Sequence, residues 1–117
     1  MTARIQEIAE AFSRHDFALA YPHLAPDVRW VAHGAGTTTG RDEVTAVCER
    51  TLTDLARTTT TFPSWRTVVG EDAVVVDVVA RYEQPDGVFV VASCDLYDFT
   101  DGMITAITSY VVELPST

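Results

Sequence analysis

Apolar residues recur along the first part of the chain with a helical period. Ile5, Ile8, Ala9 and Phe12 fall at i, i+3, i+4 and i+7, which predicts an amphipathic helix ending near Arg14–His15. Asp16 is placed to cap a second, short helix over roughly Phe17–Leu24, with Pro22 inside it and Pro26–Asp27 closing it. Val28–His33 reads as a short strand around Trp30, and Gly34–Gly40, rich in glycine and threonine, as a loop. Val44, Val47, Cys48, Thr51, Leu52 and Leu55 then define the clearest helix, opening at Arg41 or Asp42. Asp42 and Glu43 favour its N-terminal dipole, and Arg50 and Arg57 lie toward its far end.

From Thr58 the period changes to two. Thr58–Phe62 is rich in β-branched residues, Pro63 interrupts, and Trp65–Val69 resumes. Gly70–Glu71–Asp72 reads as a turn, Ala73–Tyr82 as a strong strand and Gln84–Pro85–Asp86–Gly87 as another turn. Val88–Phe99 is the longest strand, and Asp101–Gly102 makes a tight hairpin into Ile104–Glu113. The later strands are joined by turns too short for crossover helices. The order therefore predicts an α+β fold with a mostly antiparallel sheet. Helices can cover only one face of it, yet the strands are apolar on both. In Val88–Phe99 one parity carries Val88, Val90, Ala92, Cys94 and Leu96, and the other Phe89, Val91, Ser93, Asp95, Tyr97 and Phe99. The uncovered face is expected to pair with a second subunit.

Composition narrows the classes. At 117 residues and 47% hydrophobic, the chain fits one domain, 1–117. A net charge of -9 without any Lys/Arg cluster argues against a nucleic-acid or anionic-membrane partner. No signal-peptide apolar region and no membrane-length apolar run appear, so a cytoplasmic protein is expected. Cys48 and Cys94 sit on apolar periodic positions and read as reduced core cysteines. The histidines lack metal-ligand spacing, and no phosphate-loop, dinucleotide or nucleophile-elbow motif is present. No metal or cofactor is expected.

The order of elements, the Asp27–Trp30 strand after a short helix, Gly40–Arg41 opening the third helix, and Phe99–Thr100–Asp101–Gly102–Met103–Ile104 leading to Tyr110 resemble the nuclear transport factor 2-like superfamily. The nearer branch is that of the SnoaL-like polyketide cyclases and ketosteroid isomerases. The resemblance implies a cystatin-like cone. Three N-terminal helices would wrap a curved sheet around an apolar pocket, and the convex sheet face would pair in a homodimer. In ketosteroid isomerases one aspartate is the base, while a tyrosine and a protonated aspartic acid form the oxyanion hole. Carried over by position, the protonated acid falls on Asp95, which also precedes a strand-ending Phe and a Gly hairpin. The base falls on or near Ala32, beside His33, and the tyrosine near Ile8.

The residues themselves single out Asp95, because a carboxylate in a buried strand is costly unless paired, hydrogen-bonded or neutralised. His33 is the titratable side chain placed to supply the missing base, although strand parity points it away from Trp30 and Ala32 unless Gly34 bends the chain. Tyr97 shares the parity of Asp95 and offers a phenolic donor, with Tyr82 and Tyr110 as the other candidates. Trp30, Ala32, Tyr21, Ser93, Phe89 and Val111 are the expected substrate-binding positions. His15 and His23 read as surface or helix-end residues, Asp77 and Arg81 as members of a cross-strand or intersubunit ion pair, and Arg41 as structural. The expected function is a cofactor-free acid/base enzyme of isomerase, cyclase or dehydratase type acting on an apolar cyclic or polyketide-like molecule. Its rival is a non-catalytic ligand-binding or scaffold protein of the same fold.

Overall fold

Ile8, Ala9 and Phe12 are buried along α1 (Thr2–Ser13), with Ile5 half-buried at the edge of the stripe. The computed structural model describes residues 2–115. Helix α2 is a single turn, Phe17–Ala20, continued by a 3-10 turn over Tyr21–His23. The longer second helix does not form, because Pro22 has no amide hydrogen with which to extend it. Asp16 makes no side-chain cap. Its carboxylate faces Arg14 instead, at 4.0 Å. Helix α3 runs Arg41–Asp54 after Gly40, whose φ of 96° suits glycine. Its stripe is buried at Val44 and Cys48 and half-buried at Val47, Thr51 and Leu55, and it runs out at Leu52, which is exposed. The Arg41 guanidinium donates to the Leu24 carbonyl at 2.9 Å, tying the start of α3 to the first strand.

Six strands form one sheet: β1 (Leu24–Ala32), β2 (Gly36–Thr39), β3 (Thr59–Val69), β4 (Ala73–Gln84), β5 (Gly87–Thr100) and β6 (Met103–Leu114), in the order β2-β1-β6-β5-β4-β3. Only β1 and β6 run parallel. Two expectations change here. The Gly/Thr segment is not all loop, since its threonines pair back on Arg29–Ala32 as β2, where their branched side chains favour extended backbone. Pro63 does not break β3 in two. The register slips between Thr61 and Ser64, so the proline sits in a bulge of an edge strand where no ladder amide is needed.

Helix α1 lies against β3, β4 and β5, and α3 against β1 and β2. The result is an α+β cone of three helices on a curved, largely antiparallel sheet. Its core joins Ile8, Phe12, Phe17, Val44 and Cys48 to Leu24, Val28, Val74, Val76, Tyr97, Ile104 and Ile107.

The β5–β6 hairpin sets which side chains face inward. Asp101 and Gly102 have φ of 53° and 79°, as a two-residue turn matching the strand twist requires. Thr100 pairs with Met103 and Phe99 with Ile104. The register then slips past Thr105, so that Asp98 pairs with Ala106 and Asp95 with Ser109. Ile107, Ser109 and Val111 thereby stand beside Tyr97, Asp95 and Ser93 on the inner face. Tyr110 and Val112 stand beside Cys94 and Ala92 on the outer one, where they are 49% and 59% exposed. Asp77 and Arg81 also lie on that outer face, but Arg81 pairs with Glu83 at 3.2 Å rather than with Asp77.

Ile107 is wholly buried at the centre of the inner face. Ile107→Ala is expected to cost about 2–5 kcal/mol. Urea unfolding measures it, and a loss below ~1 kcal/mol would contradict this packing.

Candidate functional site

The inner face, the end of α1 and the start of α2 enclose a cavity of about 330 Å³. Phe12, Phe17, Trp30, Phe62, Val78, Ala80, Val91 and Val111 supply its apolar wall. Ser13, His15, Tyr82, Ser93, Asp95 and Ser109 supply the polar groups. A small apolar chamber with a few convergent polar side chains is the usual form of a ligand site.

Two hydrogen-bond relays converge on Asp95. Trp30 Nε1 donates to Ser109 Oγ at 2.9 Å, and Ser109 Oγ donates to Asp95 Oδ1 at 2.6 Å. On the other side Ser13 Oγ donates to Asp95 Oδ2 at 3.0 Å and lies 2.6 Å from the Tyr97 hydroxyl. A serine has one hydrogen to give. If Ser13 gives it to Asp95, the Tyr97 hydroxyl is the donor to Ser13. Neither ion pair among the described residues involves Asp95. Burial pushes its pKa above the ordinary carboxylate value, and the hydrogen bonds donated by Ser109 and Ser13, with the Tyr97 hydroxyl close by, offset only part of that rise. Burial and the neighbouring Asp95 charge also raise Tyr97 and Tyr82.

Of the residues singled out from sequence, Asp95, Trp30, Ala32, Ser93 and Val111 line this cavity together. Tyr97 stands behind it, wholly buried, and reaches Asp95 through Ser13. Phe89 belongs to an adjoining outer groove. Two residues are elsewhere. His33 lies on the outer side, its ring stacked on Tyr110 with centroids 4.6 Å apart, because Gly34 turns the chain only after the parity of β1 has carried His33 outward. Tyr21 turns away from the cavity to donate to Glu49 at 2.6 Å, since the 3-10 turn rotates it toward α3. The Cys48 thiol is pushed up to about 12 by burial, and that of Cys94 is also raised, so neither is an activated nucleophile.

The structure adds three residues to the site, Ser13, Ser109 and His15, and brings in Tyr82, one of the alternative phenolic donors. Ser13 follows Ala9 by one helical turn, a position legible from the α1 stripe. Ser109 depends on the β6 slip. His15 ends α1 at φ 71°, one of two non-glycine residues in the left-handed region among the described residues. Its amide donates to Phe12 O at 3.1 Å, and the Asp16 amide donates to Ala11 O at 2.8 Å. That pair of bonds is the helix-ending motif in which glycine is usual, and a side chain there costs about 1 kcal/mol. The imidazole packs against Phe17, Phe62 and Tyr82 at centroid distances of 5.6, 6.4 and 5.9 Å. Burial lowers its pKa.

A larger groove of about 570 Å³ lies at the other end of the sheet, between Arg4, His23 and the turns holding Glu71, Asp72 and Asp101. Its lining is more polar, and among the described residues none of its carboxyls accepts a side-chain hydrogen bond as Asp95 does. No three His, Cys, Asp or Glu side chains among the described residues are grouped so as to hold a metal ion. No helix among the described residues is long and apolar enough to cross a membrane.

The cone-shaped fold has known relatives. The SnoaL-like domain model matches residues 5–107, and the chain belongs to that family within the nuclear transport factor 2-like superfamily. A nuclear transport factor 2-like protein of unknown function from Cytophaga hutchinsonii is 26% identical, covering 96% of this chain and 99% of its own, with a TM-score of 0.85. An LEH-like epoxide hydrolase from M. tuberculosis is 17% identical over 94% and 84% of the two chains, with a TM-score of 0.73. A protein with a ketosteroid isomerase-like fold from Catenulispora acidiphila, solved with trimethylamine, is 22% identical over 79% and 72%, with a TM-score of 0.61. The last two likenesses are of fold. No curated protein matches the chain.

The raised pKa of Asp95 has a stability consequence. The folded state holds this proton more tightly than the unfolded chain, so the stabilisation is complete below the ordinary value of ~3.9 and is lost as pH rises through the folded value. Asp95→Asn, which cannot ionise, is therefore expected to gain stability relative to the wild type as pH rises from about 4 to about 8. Each tenfold of proton affinity gained on folding contributes ~1.4 kcal/mol. Urea unfolding of both proteins across that range checks it, and a pH-independent difference would mean that Asp95 titrates like a solvated carboxyl.

Proposed function

We propose that the protein is a cofactor-independent acid/base enzyme acting on a small, uncharged, mostly apolar molecule, with Asp95 as its acid. One observation carries this: both relays donate into the carboxyl, from Trp30 through Ser109 and from Ser13. A protonated Asp95 has no need of its own hydrogen inside the protein, so that hydrogen is free for a ligand oxygen in the cavity. Burial keeps the acid form populated at higher pH than usual. The reaction class that fits is proton abstraction beside a carbonyl. A C–H bond breaks, its electron pair moves to the carbonyl oxygen, and Asp95 donates to the oxygen as charge develops there. Return of the proton at another carbon gives isomerisation, and loss of a β-hydroxyl as water gives dehydration. The cavity wall contains no Lys or Arg, which favours a neutral substrate.

A second reading has its own support. Both Asp95 oxygens already have hydroxyl donors, which suits a carboxyl that merely orients a bound ligand. Incubation with a panel of cyclic ketones and enones in heavy water separates the two. The enzyme exchanges hydrogen for deuterium beside the carbonyl, and Asp95→Asn is expected to lose at least ~10²-fold of that rate while still binding. Binding by the wild type without exchange favours the binding protein.

The outer face is proposed to pair with a second copy. Val90, Ala92, Cys94, Leu96, Tyr110 and Val112 form a continuous, partly exposed apolar strip there. The wild type is expected to sediment as a dimer at micromolar concentration and Val112→Asp as a monomer. A monomeric wild type would remove this proposal.

A further inference from the structure

We propose that His15 is the second proton-transfer group of the inner cavity, the base that takes a carbon-bound proton from a ligand whose oxygen is held by Asp95. The inference rests on the acid role given to Asp95 above, but it comes from different observations.

The first is the backbone. His15 occupies the left-handed position that closes α1, at φ 71°, where glycine would relieve strain. The other non-glycine residue in that region, Asp101, is explained by its hairpin turn. At 15 the helix-ending motif sets the backbone but calls for glycine and not for an imidazole, and residues held in unfavourable backbone cluster at working sites.

The second is position. His15, Thr51 and Tyr82 line both the inner cavity and the outer groove that continues to Asp54, Gln84 and Phe89. The imidazole thus borders the ligand space on one side and a route to solvent on the other. The third is bonding. The ring is held by its packing against Phe17, Phe62 and Tyr82, and no hydrogen bond to either ring nitrogen is made among the described residues. A structural histidine usually spends at least one nitrogen on a partner; a base must keep one free. The titratable groups facing it are Tyr82 from β4, Asp95 from β5 across the same cavity, and Asp54 from α3 at the groove. Its chain neighbours Arg14 and Asp16 face each other at 4.0 Å. Burial lowers the imidazole pKa, so the neutral form, which can accept a proton, dominates near neutrality. The other two histidines lie outside this cavity, His33 against Tyr110 and His23 in the far groove.

The substrate class follows. It is an uncharged cyclic carbonyl compound small enough for about 330 Å³. The C–H proton passes to the His15 imidazole and the electron pair to the carbonyl oxygen, hydrogen-bonded by Asp95. The imidazolium then returns the proton to a different carbon. No co-reactant is consumed.

Nitrobenzisoxazole is a suitable probe. It is neutral and bicyclic, and a base removes its ring C–H proton while the N–O bond breaks to a nitrile and a phenolate oxygen that a donor stabilises. Turnover is measured from acid to mildly alkaline pH for the wild type, His15→Gly, His15→Asn and Asp95→Asn, beside free imidazole. Melting temperatures and the NMR titration of His15 are recorded in parallel. The wild type is expected to exceed imidazole, with a rate that rises through the titration of His15. Both His15 variants lose at least ~tenfold and lose that titration, while His15→Gly melts at or above the wild type. Asp95→Asn is slower but keeps the pH profile. If both His15 variants keep the wild-type rate and profile and only Asp95→Asn is slowed, the base assignment falls and the acid assignment stands. If no variant differs, or the wild type only equals imidazole, both fall. If His15→Gly and His15→Asn both melt far below the wild type, His15 is retained for packing and the inference is wrong.

Discussion

A pleated ladder has two phases, and one extra residue in β6 chooses between them. Thr105 opens the β5–β6 register by one position, and every residue beyond it changes face relative to a straight hairpin. With that slip, Ile107 and Ser109 face the core and cavity. Without it, Thr108 and Tyr110 would. Ser109 is the atom-level link between Trp30 and Asp95, and Ile107 is the apolar neighbour of Tyr97. The packed centre and the polar centre of the inner face both hang on this irregularity. The parallel pairing of β1 with β6 carries the same phase one strand further, bringing Ala32 beside Ser109.

At Asp95 two large effects oppose each other. Desolvation favours the neutral acid, while the serine donors and the nearby Tyr97 hydroxyl favour the carboxylate, and desolvation wins. Such a balance sets this carboxyl apart from one governed by a single effect. An ion pair would have locked the group as an anion, and an apolar site without donors would have locked it as an acid. The family contains the fold but does not specify the chemistry, so the local balance around this carboxyl carries more functional meaning than the cone itself.

Much of this was legible in the chain. The α1 and α3 stripes, the two-residue Asp101–Gly102 turn and the alternation through Val88–Phe99 each read directly as structure, because local periodicity and local backbone preference agree there. That alternation also put Asp95, Ser93 and Tyr97 on one face. His33 was the attractive base because it adjoins Ala32 in sequence. In space it follows strand parity outward, while His15, which looked like a helix-end residue, is brought in by a left-handed backbone that no periodicity reveals. Ser109 was hidden for a similar reason. Counting back from the hairpin pairs Asp95 with Thr108, and a bulge is set by tertiary fit. Short-range patterns therefore gave the elements, and the site came from their departures.

Both borders of the sheet are poor templates for a further strand. β2 is only four residues long, so it offers little backbone to extend. β3 at the opposite border carries Pro63 within its register slip, which removes a donor and bends the ladder where an incoming strand would need regular spacing. Polymerisation by edge-to-edge pairing, the route by which open sheets grow into fibrils, is thereby blunted at both ends. The same proline that looked in sequence like a broken strand protects a sheet that cannot close on itself.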